Sequence, residues 1–185
     1  MSSWRPEFDP DHLYFVTTKA SSYARLFQRD LIKRLLVDTL DCLRTQQRMK
    51  LFCFVIMPNH IHLIAQPAAN DPLSDVVRDF KKSAADRLIR QLKAENNQKA
   101  IEWLATQVER PDKQNYKVWE DGYNAKDVVS TEFLLQKMDY IHNNPCQPHW
   151  NLSTASVDYI WSSARFYLSD EPCLIPIDDA RLWLA

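Results

Sequence analysis

Glycine is almost absent: Gly122 is the only one in 185 residues, where average usage of about 7% would supply about thirteen. Rossmann fingerprints and P-loops need several glycines so that backbone amides can close on a phosphate. Nucleotide-cofactor enzymes of those classes are therefore excluded. Cysteine is sparse as well, and Cys42, Cys53, Cys146 and Cys173 form no CxxC pair. That disfavours zinc knuckles and redox motifs and fits buried structural thiols in a reducing cytosol. The longest unbroken apolar run, LFCFVIM, is too short to cross a bilayer, and MSSWRPEFDP has neither a basic n-region nor an apolar stretch. A cytoplasmic protein with no membrane partner is expected. Excess charge is missing too: 23 Lys and Arg face 24 Asp and Glu, for a net charge of −1. Taken alone, this balance points to no polyanionic partner.

What is present supports one folded unit. A hydrophobic content of 45% over 185 residues is enough for a single core, so one domain is expected over 1–185, with its core at about 12–168. From His12, HLYFVTT alternates and is rich in β-branched and aromatic residues, as a strand requires. Residues 29–48 bring Leu31, Leu35, Leu36, Leu40 and Leu43 near helical spacing, which predicts an amphipathic helix. KLFCFVIM and HIHLIAQ read as two strands of a hairpin turned at Pro58-Asn59. A second helix is expected over 72–95, then a polar connection through about Tyr116. KVWEDGYNAKDVV places an Asp-Gly pair between two strand-like arms and suggests another hairpin. Ser130 is a good N-cap for TEFLLQKMDYIHNN, with Glu132 in the first turn and Pro145 ending the helix. The resulting order predicts an α+β fold, an antiparallel β-sheet covered by helices and ferredoxin-like in character. An aromatic tail, helical around SSARFYLS, is expected to pack on this domain.

Within FVIMPNHIHLIAQP, His60 and His62 lie two residues apart on a strand. Residues at that spacing share a face, so the two imidazoles can share a cation. Ordinary half-buried histidines give the same pattern, and a metal site needs further ligands. On the helix before Pro145, Gln136, Tyr140 and Asn144 form one stripe, beside the apolar stripe of Leu134, Met138 and Ile141. A surface tyrosine with a helix-terminal asparagine is the plain alternative. His12, His142 and His149 read as structural or surface groups. Although net charge is near zero, segment 78–93, RDFKKSAADRLIRQLK, carries six Lys or Arg against two Asp. A local basic face survives the average.

Together the blocks MPNHIHLI, VWEDGY, YIHNNP and YIWSSARFY, in this order, resemble the single-tyrosine HUH transposases. The likeness is to the REP-associated tyrosine transposase branch in particular, and it spans about His12 to Leu168. It implies the HUH endonuclease fold and cleavage and rejoining of single-stranded DNA beside a hairpin. By the same resemblance His60 and His62 hold a divalent ion, Mg²⁺ or Mn²⁺. Tyr140 is the nucleophile, and Asn144 takes the place of the third protein ligand, commonly glutamine in relatives that mobilise complete insertion sequences. The segment CQPHWNL stands where many relatives carry a basic, glycine-containing stretch.

A free phenol, with a pKa near 10, is about one part in a thousand phenolate at neutral pH, a handicap of roughly 4 kcal/mol. A divalent ion near the scissile phosphate offsets this by neutralising developing charge. For DNA contact, Arg78, Lys81, Lys82, Arg87, Arg90, Lys126 and Lys137 are candidates to neutralise phosphates, and Trp119 or Tyr123 to stack an unpaired base. A solvated helix face and a core tryptophan are the ordinary readings of those same residues. Monomer and homodimer are both open. Two other functions are compatible with these residues: a catalytically silent binder of repeat DNA, and a metal-dependent phosphodiesterase that uses water.

Overall fold

The computed structural model describes residues 9–183. The leader-free reading of MSSWRPEFDP rests mainly on residues 1–8 and lies outside them, as do the two ends of the predicted 1–185 domain. Four strands, β1 (Tyr14–Lys19), β2 (Met49–Ile56), β3 (His60–Pro67) and β4 (Asn124–Asp127), form one sheet in the order β2-β3-β1-β4. Every neighbouring pair is antiparallel. Helices α1 (Asp30–Thr45) and α2 (Leu73–Ala94) complete a β-α-β-β-α-β order, with a further helix α3 (Gln98–Thr106) before β4, followed by α4 (Thr131–Asn143) and α5 (Ala164–Ser169). This is the expected α+β, ferredoxin-like fold.

Periodicity explains most of these elements. In α1 the buried positions Ile32, Leu36, Val37, Leu40 and Leu43 recur every three or four residues. Leu31 lies outside that stripe and is exposed, although its spacing to Leu35 suggested otherwise. α2 buries Leu73, Val76, Val77, Phe80, Ala84, Leu88 and Leu92 in the same manner. β2 is buried at nearly every position instead of alternating, because both sheet faces are covered. The β2-β3 hairpin turns where expected, with Met57 N–H donating to the His60 carbonyl at 2.9 Å.

Two expectations are corrected. The polar connection contains a helix, α3 (Gln98–Thr106), started by the Asn97 side chain, which accepts from Ala100 N–H. Only Ile101 and Leu104 are buried on it, too few to show a period amid so much charge. The Asp121-Gly122 pair, in turn, does not join a hairpin. Trp119 bridges Ala20 while Asn124 pairs with Thr17, so both arms lie along β1. An existing strand satisfies the backbone of both arms, and residues 120–123 loop out between them. Gly122 there takes φ +67°, the left-handed region that a glycine enters without strain. Lys81 Nζ holds the loop by donating to the carbonyls of Glu120 and Gly122 at 2.7 and 2.6 Å.

The aromatic tail packs along the outer edge of β2. Ile56 N–H donates to the Trp161 carbonyl, Ser163 N–H to Phe54 and Asp178 N–H to Leu51. Backbone groups that an edge strand would otherwise offer to another chain are thereby used. Tyr167 and Tyr159 add hydroxyl bonds to the carbonyls of Phe52 and Ile56.

Candidate active site

Register decides which side chains share a face. Thr17 pairs with His62, Phe15 with Ile64 and with Lys126, and Val55 with His62, so Phe15, Thr17, His60, His62 and Lys126 project to one side. α4 lies over that side. Its seat is fixed by Leu134, Met138 and Ile141, all buried, and by Ser130, whose hydroxyl accepts from Phe133 N–H as the sequence predicts. The Tyr140 ring then stands 5.1 Å from the His62 ring, which is 4.6 Å from His60. Phe15 stacks on His62 at 5.4 Å and meets Tyr140 edge-on at 6.1 Å. One chain supplies the histidines, the tyrosine and Asn144 to a single open cleft of about 380 Å³.

The histidines are oriented from behind. His62 Nδ1 is 2.8 Å from the Thr17 hydroxyl, and His60 Nδ1 donates to Asn59 Oδ1 at 2.6 Å. Each ring therefore has Nε2 left for another partner. Burial, reinforced by the charge of Lys19 and partly opposed by the Asn144 amide, pushes the His60 pKa down to about 4. For His62 burial, then His60, Lys19 and Lys137, push it down to about 3. Both rings are thus neutral near pH 7 with a lone pair available, the form in which imidazole binds metals.

Among the described residues, two buried side-chain atoms in the cleft make no hydrogen bond of good geometry: His62 Nε2 and Asn144 Oδ1, although the Asn144 amide lies near enough to His60 to act on it. Leaving such atoms unpaired is costly, on the order of 1–3 kcal/mol each. Both are electron-pair donors. A divalent cation would satisfy the two together, so the residues present fit one, with His60 as a third donor. No cluster of three His, Cys, Asp or Glu exists among the described residues, because the third donor is an amide. Two imidazoles and one amide make a mixed nitrogen and oxygen donor set, which would leave coordination positions open for other ligands.

Over residues 10–144 the sequence matches the family described as "Transposase IS200 like". The chain belongs to the IS200-like transposase family. The matched span runs from the turn before β1 to Asn144 and contains both histidines and Tyr140. Among solved structures, the fold is similar to that of a REP-associated tyrosine transposase bound to a REP hairpin, with a TM-score of 0.60 and 17% identity. That likeness covers 96% of this chain and 93% of the other, and at such identity it establishes a shared fold. A transposase candidate of Deinococcus radiodurans R1 aligns at 20% identity over 77% of this chain and 97% of its own. Its TM-score of 0.47 is below the level at which folds are equated. No curated protein matches the sequence. No described helix of this transposase is long and apolar enough to cross a membrane.

The basic and aromatic candidates for DNA contact separate into two groups. Lys126 and Lys137 lie on the histidine face: Lys126 is opposite Phe15, and Lys137 Nζ sits 5.4 Å from the Phe15 ring and 5.8 Å from that of Tyr140. By contrast Arg78 is engaged with Asp75 and Asp79, and Lys81 clamps the 120–122 loop. Trp119 is only 6% exposed, its Nε1 donating to the Lys81 carbonyl and its ring packed on Phe27 and Phe80. It is a core residue and has no free face for a base, which corrects the sequence reading. Lys82 and Arg90 are exposed on α2, with Arg87 and Tyr123 partly so; none of the four lines the histidine cleft.

His142 is the structural residue expected, within hydrogen-bond distance of Cys53 Sγ and Ser163 Oγ. His12 is bonded to Asp127 at the surface. His149, however, borders the cleft together with Trp150, and neither it nor Thr17, Lys19, Tyr23 and Asn59 was singled out from the sequence. Their shared location depends on register and on the path of the chain after Pro145. Only the position of Asn59 beside His60 gave a local signal.

Proposed function

We propose that this transposase cuts and rejoins single-stranded DNA beside a hairpin, through a covalent link to Tyr140 and with a divalent ion held by His60, His62 and Asn144. The observation that supports this reading most is the convergence of two unpartnered buried donors, His62 Nε2 and Asn144 Oδ1, on a cleft bordered by the Tyr140 ring. Tyr140 is 47% exposed, so a strand can reach its hydroxyl. When bound, Mg²⁺ or Mn²⁺ would withdraw charge from the phosphate and help to orient it.

The Tyr140 oxygen attacks the phosphorus; an O–P bond forms as the bond to the 3′ oxygen breaks. The phenolic proton is lost and the departing 3′ oxygen gains one. A 5′-phosphotyrosine and a free 3′-hydroxyl result. Attack by the 3′-hydroxyl of a second strand reverses the step and releases the phenol, so bond energy is retained and no nucleotide cofactor is needed. Lys19 and Lys137, near the histidines, and Lys126 on the same face supply positive charge for flanking phosphates.

A denaturing gel with labelled hairpin DNA tests this proposal. A covalent protein–DNA species should form with Mg²⁺ or Mn²⁺ and disappear in Tyr140→Phe. Cleavage that survives the substitution would assign the protein to the water-using phosphodiesterases instead. Binding without cleavage in the unaltered protein would make it a silent repeat binder.

A further inference from the structure

Tyr23 and Tyr140 are the two tyrosines in the exposed class among the described residues, at 59% and 47%, and both border the same cleft. Tyr140 has a proposed role; Tyr23 has none. Its ring is presented by an unusual turn in which Ser22 and Tyr23 take φ of +51° and +54°. Two successive side-chain-bearing residues in the left-handed region are strained, and the chain spends its one glycine elsewhere. Such a turn persists only where its surroundings hold it. Here Tyr23 N–H donates to the Ala20 carbonyl, Ser22 N–H to the Glu120 carboxylate, and Asn59 Nδ2 to the Tyr23 carbonyl at 3.1 Å.

Asn59 is bonded at both ends. Its oxygen accepts from His60 Nδ1 while its nitrogen holds the Tyr23 backbone, so the strained turn and the histidine are positioned by one amide. Trp150 borders the same cleft, its ring 5.6 Å from that of His60. Each aromatic carries a cation: Lys19 Nζ is 4.9 Å from the Tyr23 ring and the Arg25 guanidinium 5.6 Å from that of Trp150. Tyr23 is largely exposed, so its ring has surface open to a flat partner, and Trp150, which also has the His149 ring 5.5 Å away, is partly exposed.

We propose that Tyr23 and Trp150 form the seat of an unpaired nucleotide of the substrate strand, with the base stacked on these rings and its phosphates met by Lys19 and Arg25. Paired aromatic and cationic side chains are the usual means of holding single strands without reading their sequence. The seat takes over the role that the sequence suggested for Trp119. It rests on the reading of the protein as one that acts on single-stranded DNA, but not on the identity of the nucleophile.

The test uses the full chain with Tyr140→Phe, which prevents turnover, and two short fluorescent strands: one of mixed sequence and an abasic strand of equal length. Anisotropy should show the base-bearing strand bound about tenfold or more tighter than the abasic one. In Tyr23→Ala with Trp150→Ala that preference should fall to within about twofold, while Tyr23→Phe keeps it. Photocrosslinking of 5-iodouracil strands to the chain with Tyr23 and Trp150 intact supplies a readout independent of how the variants fold. Adducts should map to Tyr23 or Trp150. A base preference that survives the double substitution, or adducts confined to other sites, overturns the seat and leaves the Tyr140 chemistry standing. Failure to bind either strand would overturn both the seat and the reading of a protein acting on single strands.

Discussion

At His62, Nδ1 is bonded to the Thr17 hydroxyl, which holds the ring and leaves Nε2 for another partner. Partners of this kind set the tautomer and ring angle of a metal-binding histidine, and their loss commonly weakens metal binding by about 10- to 100-fold. Thr17→Val keeps the shape of the strand and removes only the hydroxyl. Mn²⁺ titration calorimetry should therefore show a loss in that range with the fold intact; an unchanged affinity would mean that His62 does not bind the ion. A second expectation concerns pH. Burial lowers His60 and His142 to about 4, and His62 to about 3, against an ordinary value near 6.5. Between those values the unfolded chain binds protons that the folded chain refuses, so unfolding is favoured as pH falls. In metal-free protein, stability should be full above about pH 6.5 and decline toward pH 4, on the order of 1–2 kcal/mol per ring. Urea denaturation at pH 7 and pH 5 measures this, and equal midpoints would contradict it.

The element that matters most is α4, because it carries Tyr140 and is capped at its end by Asn144. Its beginning and end were readable in the sequence: Ser130 caps it and Pro145 stops it. The stripe of Leu134, Met138 and Ile141 announced which side would be buried. Its lateral anchor was not readable, since His142 meets Cys53 from β2 and Ser163 from the tail, residues far apart in the chain. Ser163 Oγ also accepts from Phe54 N–H. Ser163→Ala should therefore cost about 1–3 kcal/mol in denaturant unfolding, because buried polar groups lose their partner. It should also slow formation of the Tyr140–DNA adduct more than it weakens DNA binding. A substitution without effect on either would separate the tail from the tyrosine helix. The same limit explains the failures elsewhere: strand β4 and the 120–123 loop follow β1, a partner about a hundred residues distant, so local turn chemistry pointed to a hairpin that does not form.

Over the whole molecule, a net charge of −1 conceals an uneven arrangement. Many cations away from the cleft are bound to carboxylates, as Arg29 is to Glu95, Arg48 to Asp71 and Asp79, Arg78 to Asp75 and Asp79, and Lys117 to Glu109 and Asp121. At the cleft, Lys19 and Lys137 lie against aromatic rings instead. Composition could not report this, because it sums over faces. Lys137→Ala should weaken single-strand binding and reduce its log-log salt slope by about 0.7 for each phosphate left without its cation. Arg78→Ala, on another layer and already ion-paired, should change the slope little. Equal effects at both positions would return the DNA to the basic helix that the sequence first suggested.

The two imidazoles and the Asn144 amide should form one metal site beside Tyr140, and anomalous diffraction from crystals soaked in Mn²⁺ would reveal it. A single strong peak is expected, bonded to Nε2 of His60, Nε2 of His62 and Oδ1 of Asn144, with the Tyr140 hydroxyl facing the same open side. A peak bound elsewhere, or none at a Mn²⁺ concentration that supports DNA cleavage, would contradict it.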